Sequence, residues 1–157
     1  MPSRKHLRRL DTLFDRYDPP LYFLTFCVKG RATVLANDQV GSVLVTAWQD
    51  AREVHGWLVG QYVVMPDHVH FFATPLGDIA KEMSQFMGSW KRWTCKAIRD
   101  LGYKEFNWQA EFFDHVVRNT ESYGAKWEYV RANPVRAGLV ARAEEWPFQG
   151  QIYPLKW

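Results

Sequence analysis

Apolar and polar positions along this chain alternate between two periods, and the changes of period mark out its elements. Leu21-Tyr-Phe-Leu-Thr-Phe-Cys-Val28 is a near-continuous apolar run, introduced by Pro19-Pro20 and closed by Lys29-Gly30, which predicts a strand. From Val40 to His55 the spacing lengthens: Val43, Leu44, Ala47 and Ala51 fall on one helical face, and Gly56 follows as a C-cap. Leu58 to Val64 and His68 to Thr74 return to β-branched and aromatic residues, two strands separated by the break Met65-Pro66-Asp67. Asp78 to Asp100 reads as a long helix, with Ile79, Met83, Phe86, Met87, Trp90, Trp93 and Ile98 as its apolar stripe and Gly102 as its stop. Phe112 to Val117 predicts a fourth strand, and Asn119 or Thr120 caps a last helix from Glu121 to about Asn133, ended by Pro134 and Gly138.

The order strand, helix, strand, strand, helix, strand, helix is the split βαβ arrangement of a ferredoxin-like α+β domain. It implies an antiparallel sheet with helices on one face and an added C-terminal helix. No linker, repeat or low-complexity stretch divides the chain, so residues 1–157 are expected to form one domain, with 1–18 as a basic N-terminal arm and 141–157 as a C-terminal tail.

A composition of 47% hydrophobic residues, 16% of all residues being aromatic, supplies a real core and excludes a disordered chain. No window approaches the roughly 20 apolar residues of a membrane helix. The basic start runs into Asp11, Asp15 and Asp18 rather than an apolar stretch, so it is not a secretory signal. Cys27 and Cys95 have neither zinc-site nor disulfide-framework spacing, and the chain reads as a reduced cytoplasmic protein.

A net charge of +3 does not by itself point to nucleic acid. Its distribution says more. Arg4, Lys5, Arg8 and Arg9 open the chain with no acid among the first ten residues, either as an unstructured tail or as an arm that follows phosphates. Lys91, Arg92, Lys96 and Arg99 recur at near four-residue steps with Trp90 and Trp93 beside them, a mixture of charge and stacking surface suited to single-stranded DNA. The plainer reading is a solvated basic face with tryptophan in the core.

The chemistry gathers at two places. Residues two apart on a strand share a face, so His68 and His70 project together while Val69 turns inward, and two imidazoles so placed can grip a metal. Alternatively they merely hydrogen-bond in a polar patch. In the last helix Tyr129 and Asn133 stand one turn apart; a phenol attacking phosphorus needs its target made more electrophilic, which a divalent metal does, and the Asn133 amide oxygen would complete a His, His, Asn set around Mg2+ or Mn2+. Packing for the tyrosine and helix termination for the asparagine are the ordinary alternatives. Tyr123 competes as nucleophile, but Trp127 four residues on ligates nothing. Glu111, Asp114 and His115 form a second candidate metal cluster, or simply a charged strand edge.

Met65-Pro-Asp-His-Val-His70, Trp108-Gln109 followed by Phe113-Asp-His115, and Tyr129-x-x-x-Asn133-Pro-x-Arg-Ala-Gly-Leu-Val140 occur in the order and at about the spacing of single-tyrosine HUH transposases. Residues 20 to 145 resemble the REP-associated tyrosine transposases, relatives of small insertion-sequence transposases. The resemblance implies a metal-dependent single-stranded DNA endonuclease and strand transferase acting at hairpin (REP-like) elements through a 5′-phosphotyrosine intermediate. His68 and His70 match the metal ligands, Tyr129 the nucleophile, and Asn133 the third ligand, a place held by Gln in some relatives. Mg2+ or Mn2+ is the implied cofactor, and hairpin DNA the implied partner. The basic arm and the tail from Trp146 to Trp157 would help to recognise the hairpin. Insertion-sequence relatives are dimers whose tyrosine helix serves the partner's histidine pair; the REP-associated branch implies a monomer, with a homodimer as the alternative. Two other readings stand beside it: a domesticated hairpin-binding protein with little or no transposition activity, and a small hydrolase using metal-activated water.

Overall fold

The computed structural model describes residues 20–117 and 120–155, and of residues 120–122 the backbone alone. The candidate arm residues Arg4, Lys5, Arg8 and Arg9 and the candidate cap Asn119 lie outside the described residues. The elements run β1 (Leu21–Cys27), α1 (Asp38–His55), β2 (Trp57–Val64), β3 (His68–Pro75), α2 (Met83–Asp100), β4 (Phe113–Val117), α3 (Thr120–Arg131), α4 (Asn133–Arg136) and β5 (Gln149–Gln151). The sheet order is β4-β1-β3-β2-β5, and every neighbouring pair is antiparallel. Its first four strands follow the expected split βαβ order. β5 is an addition on the β2 edge, and Gln149-Gly150-Gln151 carries no apolar alternation by which to anticipate it.

Local chemistry sets the element ends. Asn37 accepts a hydrogen bond from the Val40 backbone N–H at 2.9 Å and starts α1 at Asp38, two residues before the apolar stripe suggested. Gly56 ends it in the left-handed conformation (φ 72°), and a Cβ there would meet the Ile79 carbonyl at 2.8 Å, so only glycine fits. α2 begins at Met83, later than the expected Asp78: Gly77–Ile79 makes a single 3-10 turn, the chain is extended at Ala80 and Glu82, and Ile79 is exposed rather than part of the stripe. The last helix breaks at Ala132 instead of running to Asn133. Pro134 has no N–H to return to the Val130 carbonyl, and Asn133 opens a separate short turn, α4.

Alternation along the strands gives the sheet two packed faces. Tyr22, Leu24 and Phe26 of β1 and Val69, Phe71 and Ala73 of β3 join α1 and α2 in the larger core, centred on Trp48 and Trp90. The Trp90 ring lies 4.8 Å from Phe26, 5.2 Å from Trp108 and 6.0 Å from Trp48, centroid to centroid. Burying each such side chain contributes about 1.5–3 kcal/mol before the cost of ordering it.

Leu21, Phe23, Val63, Phe72 and Val117 face the other way, beneath Tyr123 and Val130 of α3 and Trp146 of the C-terminal segment. The β2–β3 register shifts between Val59 and Tyr62, and a Cβ on Gly60 would sit 2.6 Å from Leu155, so glycine makes room for that segment. Trp146 Nε1 donates to the Val64 carbonyl at 3.0 Å. Residues 146–155 are therefore a strand and a core cover, not a free tail. Among the described residues no helix is long and apolar enough to cross a membrane.

Candidate active site

β3 starts at His68, so the strand's alternation sends Val69 into the α1/α2 core and both imidazoles to the opposite face. Their ring centroids are 4.8 Å apart with the planes at 79°. His70 pairs across the ladder with Thr25, whose Oγ1 lies 2.8 Å from His70 Nδ1, and its ring stacks on Phe23 at 5.2 Å. His68 Nδ1 lies 2.7 Å from Asp67 Oδ1, while Asp67 Oδ2 accepts from Arg31 Nε at 2.8 Å. Burial alone would raise the Asp67 pKa, but the hydrogen bonds from Arg31 and His68 outweigh it and hold the carboxyl below its ordinary range.

These partners decide what the rings can do. A carboxylate only accepts, so His68 presents an Nδ1 hydrogen to Asp67, and its Nε2 lies on the other side of the ring. With Thr25 as acceptor, His70 does the same. Neither Nε2 has a hydrogen-bond partner among the described residues. The His70 pKa is driven down to about 3, first by burial and then by the charges of His68, Lys126 and Arg136, which keeps its ring neutral near pH 7.

The two candidate nucleophiles separate by burial. Tyr123 packs edge-on against Phe72 at 4.8 Å and is only 9% exposed, with burial raising its pKa. Tyr129 is 62% exposed. Arg136 lies against it, the guanidinium 4.0 Å from the ring centroid and Nη2 donating to the Tyr129 carbonyl at 2.8 Å. The same Nη2 donates to Asn133 Oδ1, so the helix break leaves tyrosine and asparagine bridged by one arginine.

Other sequence candidates fall elsewhere. Asp114 and His115 are neighbours on β4 and must point to opposite faces, and no group of three His, Cys, Asp or Glu side chains forms a metal cluster among the described residues. That sets aside the Glu111, Asp114, His115 cluster. Trp90 is 1% exposed at the centre of the larger core, which removes it from any stacking surface. Lys91 Nζ is held by the Gln109 and Ala110 carbonyls at 2.7 and 2.9 Å, and Arg99 Nε by the Phe106 carbonyl at 2.7 Å; both tether the loop after α2. Arg92, Lys96 and Trp93 are open to solvent, but α2 packs on the sheet face opposite the imidazoles.

Several residues of the site had no role in the sequence reading: Thr25, Asp67, Lys126, Arg136 and Phe113. Phe113 is the most informative. It pairs with Thr25, which pairs with His70, so one row across β4, β1 and β3 carries an aromatic ring 62% exposed beside the histidine pair. Asp67, Phe113 and Arg136 stood inside the motifs that carried the resemblance, which was the signal available in sequence; Thr25 and Lys126 had none.

Two imidazole Nε2 atoms whose Nδ1 positions are fixed by a carboxylate and a hydroxyl have the donor chemistry of a metal site. Among the described residues no third His, Cys or carboxylate is grouped with them, and a neutral oxygen such as Asn133 Oδ1 is the kind of protein ligand these residues can add. Such a set suits a cation that keeps open positions for a phosphate.

A family model described as "Transposase IS200 like" matches residues 20–133, which contain all these groups except Arg136. The chain belongs to the IS200-like transposase family. A REP-associated tyrosine transposase of Escherichia coli is 28% identical over 144 residues, spanning 87% of this chain and 83% of that protein. The solved structure of a REP-associated tyrosine transposase bound to a REP hairpin superposes with a TM-score of 0.69 at 28% identity, covering 83% of this chain and 76% of that one. A Deinococcus radiodurans protein assigned as a transposase shares the fold, with a TM-score of 0.55 at 18% identity over 73% of this chain and 91% of its own. The resemblance read from the motifs thus holds for the transposase family as a whole and for its REP-associated members.

Proposed function

We propose that this transposase is a Mg2+- or Mn2+-dependent single-stranded DNA endonuclease and strand transferase, acting beside hairpin DNA of the REP type. His68, His70 and Asn133 hold the cation, and Tyr129 is the nucleophile. The observation that carries the reading is the exposed Tyr129 phenol, tied through Arg136 to Asn133 and, by charge, to His70, one of a histidine pair whose Nε2 atoms have no partner among the described residues.

The reaction exchanges one phosphate ester for another. The Tyr129 oxygen forms a bond to phosphorus, the bond from phosphorus to the 3′ oxygen breaks, and the phenol's proton is balanced by the proton gained at the 3′-hydroxyl. The product is a 5′-phosphotyrosine that the same or another 3′-hydroxyl can reverse, with no nucleotide cofactor. A divalent ion, when bound, supplies charge that polarises the phosphate oxygens. Arg136 and Lys126 add positive charge on the same side, and Phe113 offers a ring on which an unpaired base can stack. Binding to a REP hairpin by a structural relative supports hairpin DNA as the substrate.

Incubation with Mn2+ and hairpin-bearing single-stranded DNA should give an adduct that survives denaturation and is absent in Tyr129→Phe. Binding without an adduct would support a hairpin-binding protein instead, and turnover that persists in Tyr129→Phe would support hydrolysis by activated water.

A further inference from the structure

Arg136 is the one described side chain that touches both Tyr129 and Asn133 and also acts on His70. It is exposed, so its place is set by those contacts rather than by the core. Its guanidinium covers the Tyr129 ring, and a single nitrogen, Nη2, donates both to the Tyr129 carbonyl and to the Asn133 amide oxygen. The second of these is the atom assigned above to the metal.

An amide oxygen has two lone pairs, but it cannot comfortably serve two cations at once. A guanidinium and a divalent ion on one oxygen repel each other, and the short distance keeps solvent from screening them fully. The DNA-free arrangement therefore opposes metal capture. A phosphate changes the balance. Guanidinium groups bind phosphate oxygens in a two-pronged fashion, which both neutralises the charge and draws the donors away from Asn133. The ring contact with Tyr129 keeps the arginine beside the nucleophile during that exchange.

We propose, resting on the site assignment above, that Arg136 is a positioning residue that occupies the Asn133 amide oxygen in the DNA-free protein and releases it when a DNA phosphate engages the guanidinium. Metal binding and DNA binding are then coupled through one side chain. Coupling of this kind is reciprocal: a strand that raises the affinity for the ion is itself held more tightly by the same factor when the ion is present.

The test is a Mn2+ titration of the full chain without DNA, read by electron paramagnetic resonance or calorimetry. Arg136→Ala should bind Mn2+ about three- to tenfold more tightly than the parent chain. The gain should disappear when Asn133→Ala is added. With a short oligonucleotide present, the parent chain should bind Mn2+ more tightly than without it, and Arg136→Ala should show little such enhancement and form adduct more slowly. A structural role alone would weaken both binding and adduct formation. Unchanged or weaker Mn2+ binding by Arg136→Ala overturns the proposal, and so does a gain that persists in full beside Asn133→Ala, which would be a through-space charge effect. His68→Ala separates this failure from that of the site itself. If His68→Ala abolishes Mn2+ binding while Arg136→Ala leaves it unaltered, only the role of Arg136 falls; if His68→Ala binds like the parent chain, the histidine site falls.

Discussion

Trp90 and Phe113 are both aromatic residues on elements flanking β1, yet one is 1% exposed and the other 62%. They belong to opposite faces of the sheet. The face under α1 and α2 is closed from end to end by stacked rings. The other face is closed over Leu21, Phe23, Val63, Phe72 and Val117 by α3 and the C-terminal segment, and opens toward Phe113 past the half-buried Thr25, His68 and His70. β3 serves both, sending Val69 and Phe71 one way and His68 and His70 the other. Stability and chemistry are divided between two sides of one strand, so a substitution on one side should leave the other's measurement nearly untouched.

The largest break in that symmetry is expected at Trp90. Trp90→Ala removes the ring at the middle of the larger core and should cost about 3–5 kcal/mol of unfolding free energy, measured by urea denaturation. Single-stranded DNA affinity of the protein that remains folded should not change. A loss of DNA affinity beyond the loss of folded protein would return Trp90 to the nucleic-acid surface and refute the division of faces.

On the open face the orders reverse. Asp67→Ala frees the His68 ring to rotate and should lower Mn2+ affinity about tenfold to a hundredfold. Phe113→Ala should change stability by no more than about 0.5 kcal/mol. It should weaken single-stranded DNA binding by about 1–3 kcal/mol, the usual worth of one stacked base, measured at fixed salt. If the salt dependence of binding is instead governed by Arg92 and Lys96 on α2, the strand runs over the closed face.

The histidine pair and the order of the first four strands were legible because a period-two pattern fixes which residues share a face. His68 and His70 needed nothing more than their spacing. What escaped was whatever depends on partners distant in sequence. Thr25 reaches His70 across the β1–β3 ladder and Arg31, after β1, reaches Asp67, before β3, and neither spacing appears in any local pattern. Trp90 showed the opposite failure: it lay on the apolar stripe of α2 and beside the basic positions at once, and only packing against Phe26 and Trp108 decides between them. Lys91 and Arg99 looked like free cations because backbone carbonyls, their actual partners, have no signature in sequence.

The smallest expected effect compares one histidine from each face. His55 packs against Phe86 in the larger core, and burial, reinforced by the charge of Lys81, lowers its pKa; His70 on the open face is lowered to about 3. For both rings the folded value lies below the unfolded one, near 6.5. The unfolded chain then binds more protons than the folded one below that pH, so the stability attached to neutral histidine is whole above pH 6.5 and is lost as the pH falls toward the folded values. His70 should contribute a loss of about 1 kcal/mol per pH unit between roughly pH 6 and 5 in metal-free protein, and His55 a loss of the same sign. Asp67 loses its contribution only below the ordinary carboxylate range, outside this window. Denaturant midpoints across that range should therefore flatten in His70→Gln and, separately, in His55→Gln. Added Mn2+ should oppose the acid loss in His55→Gln, where the open-face pair is intact, but not in His70→Gln. Equal protection of both variants by the metal would mean that the ion is held somewhere other than beside His70.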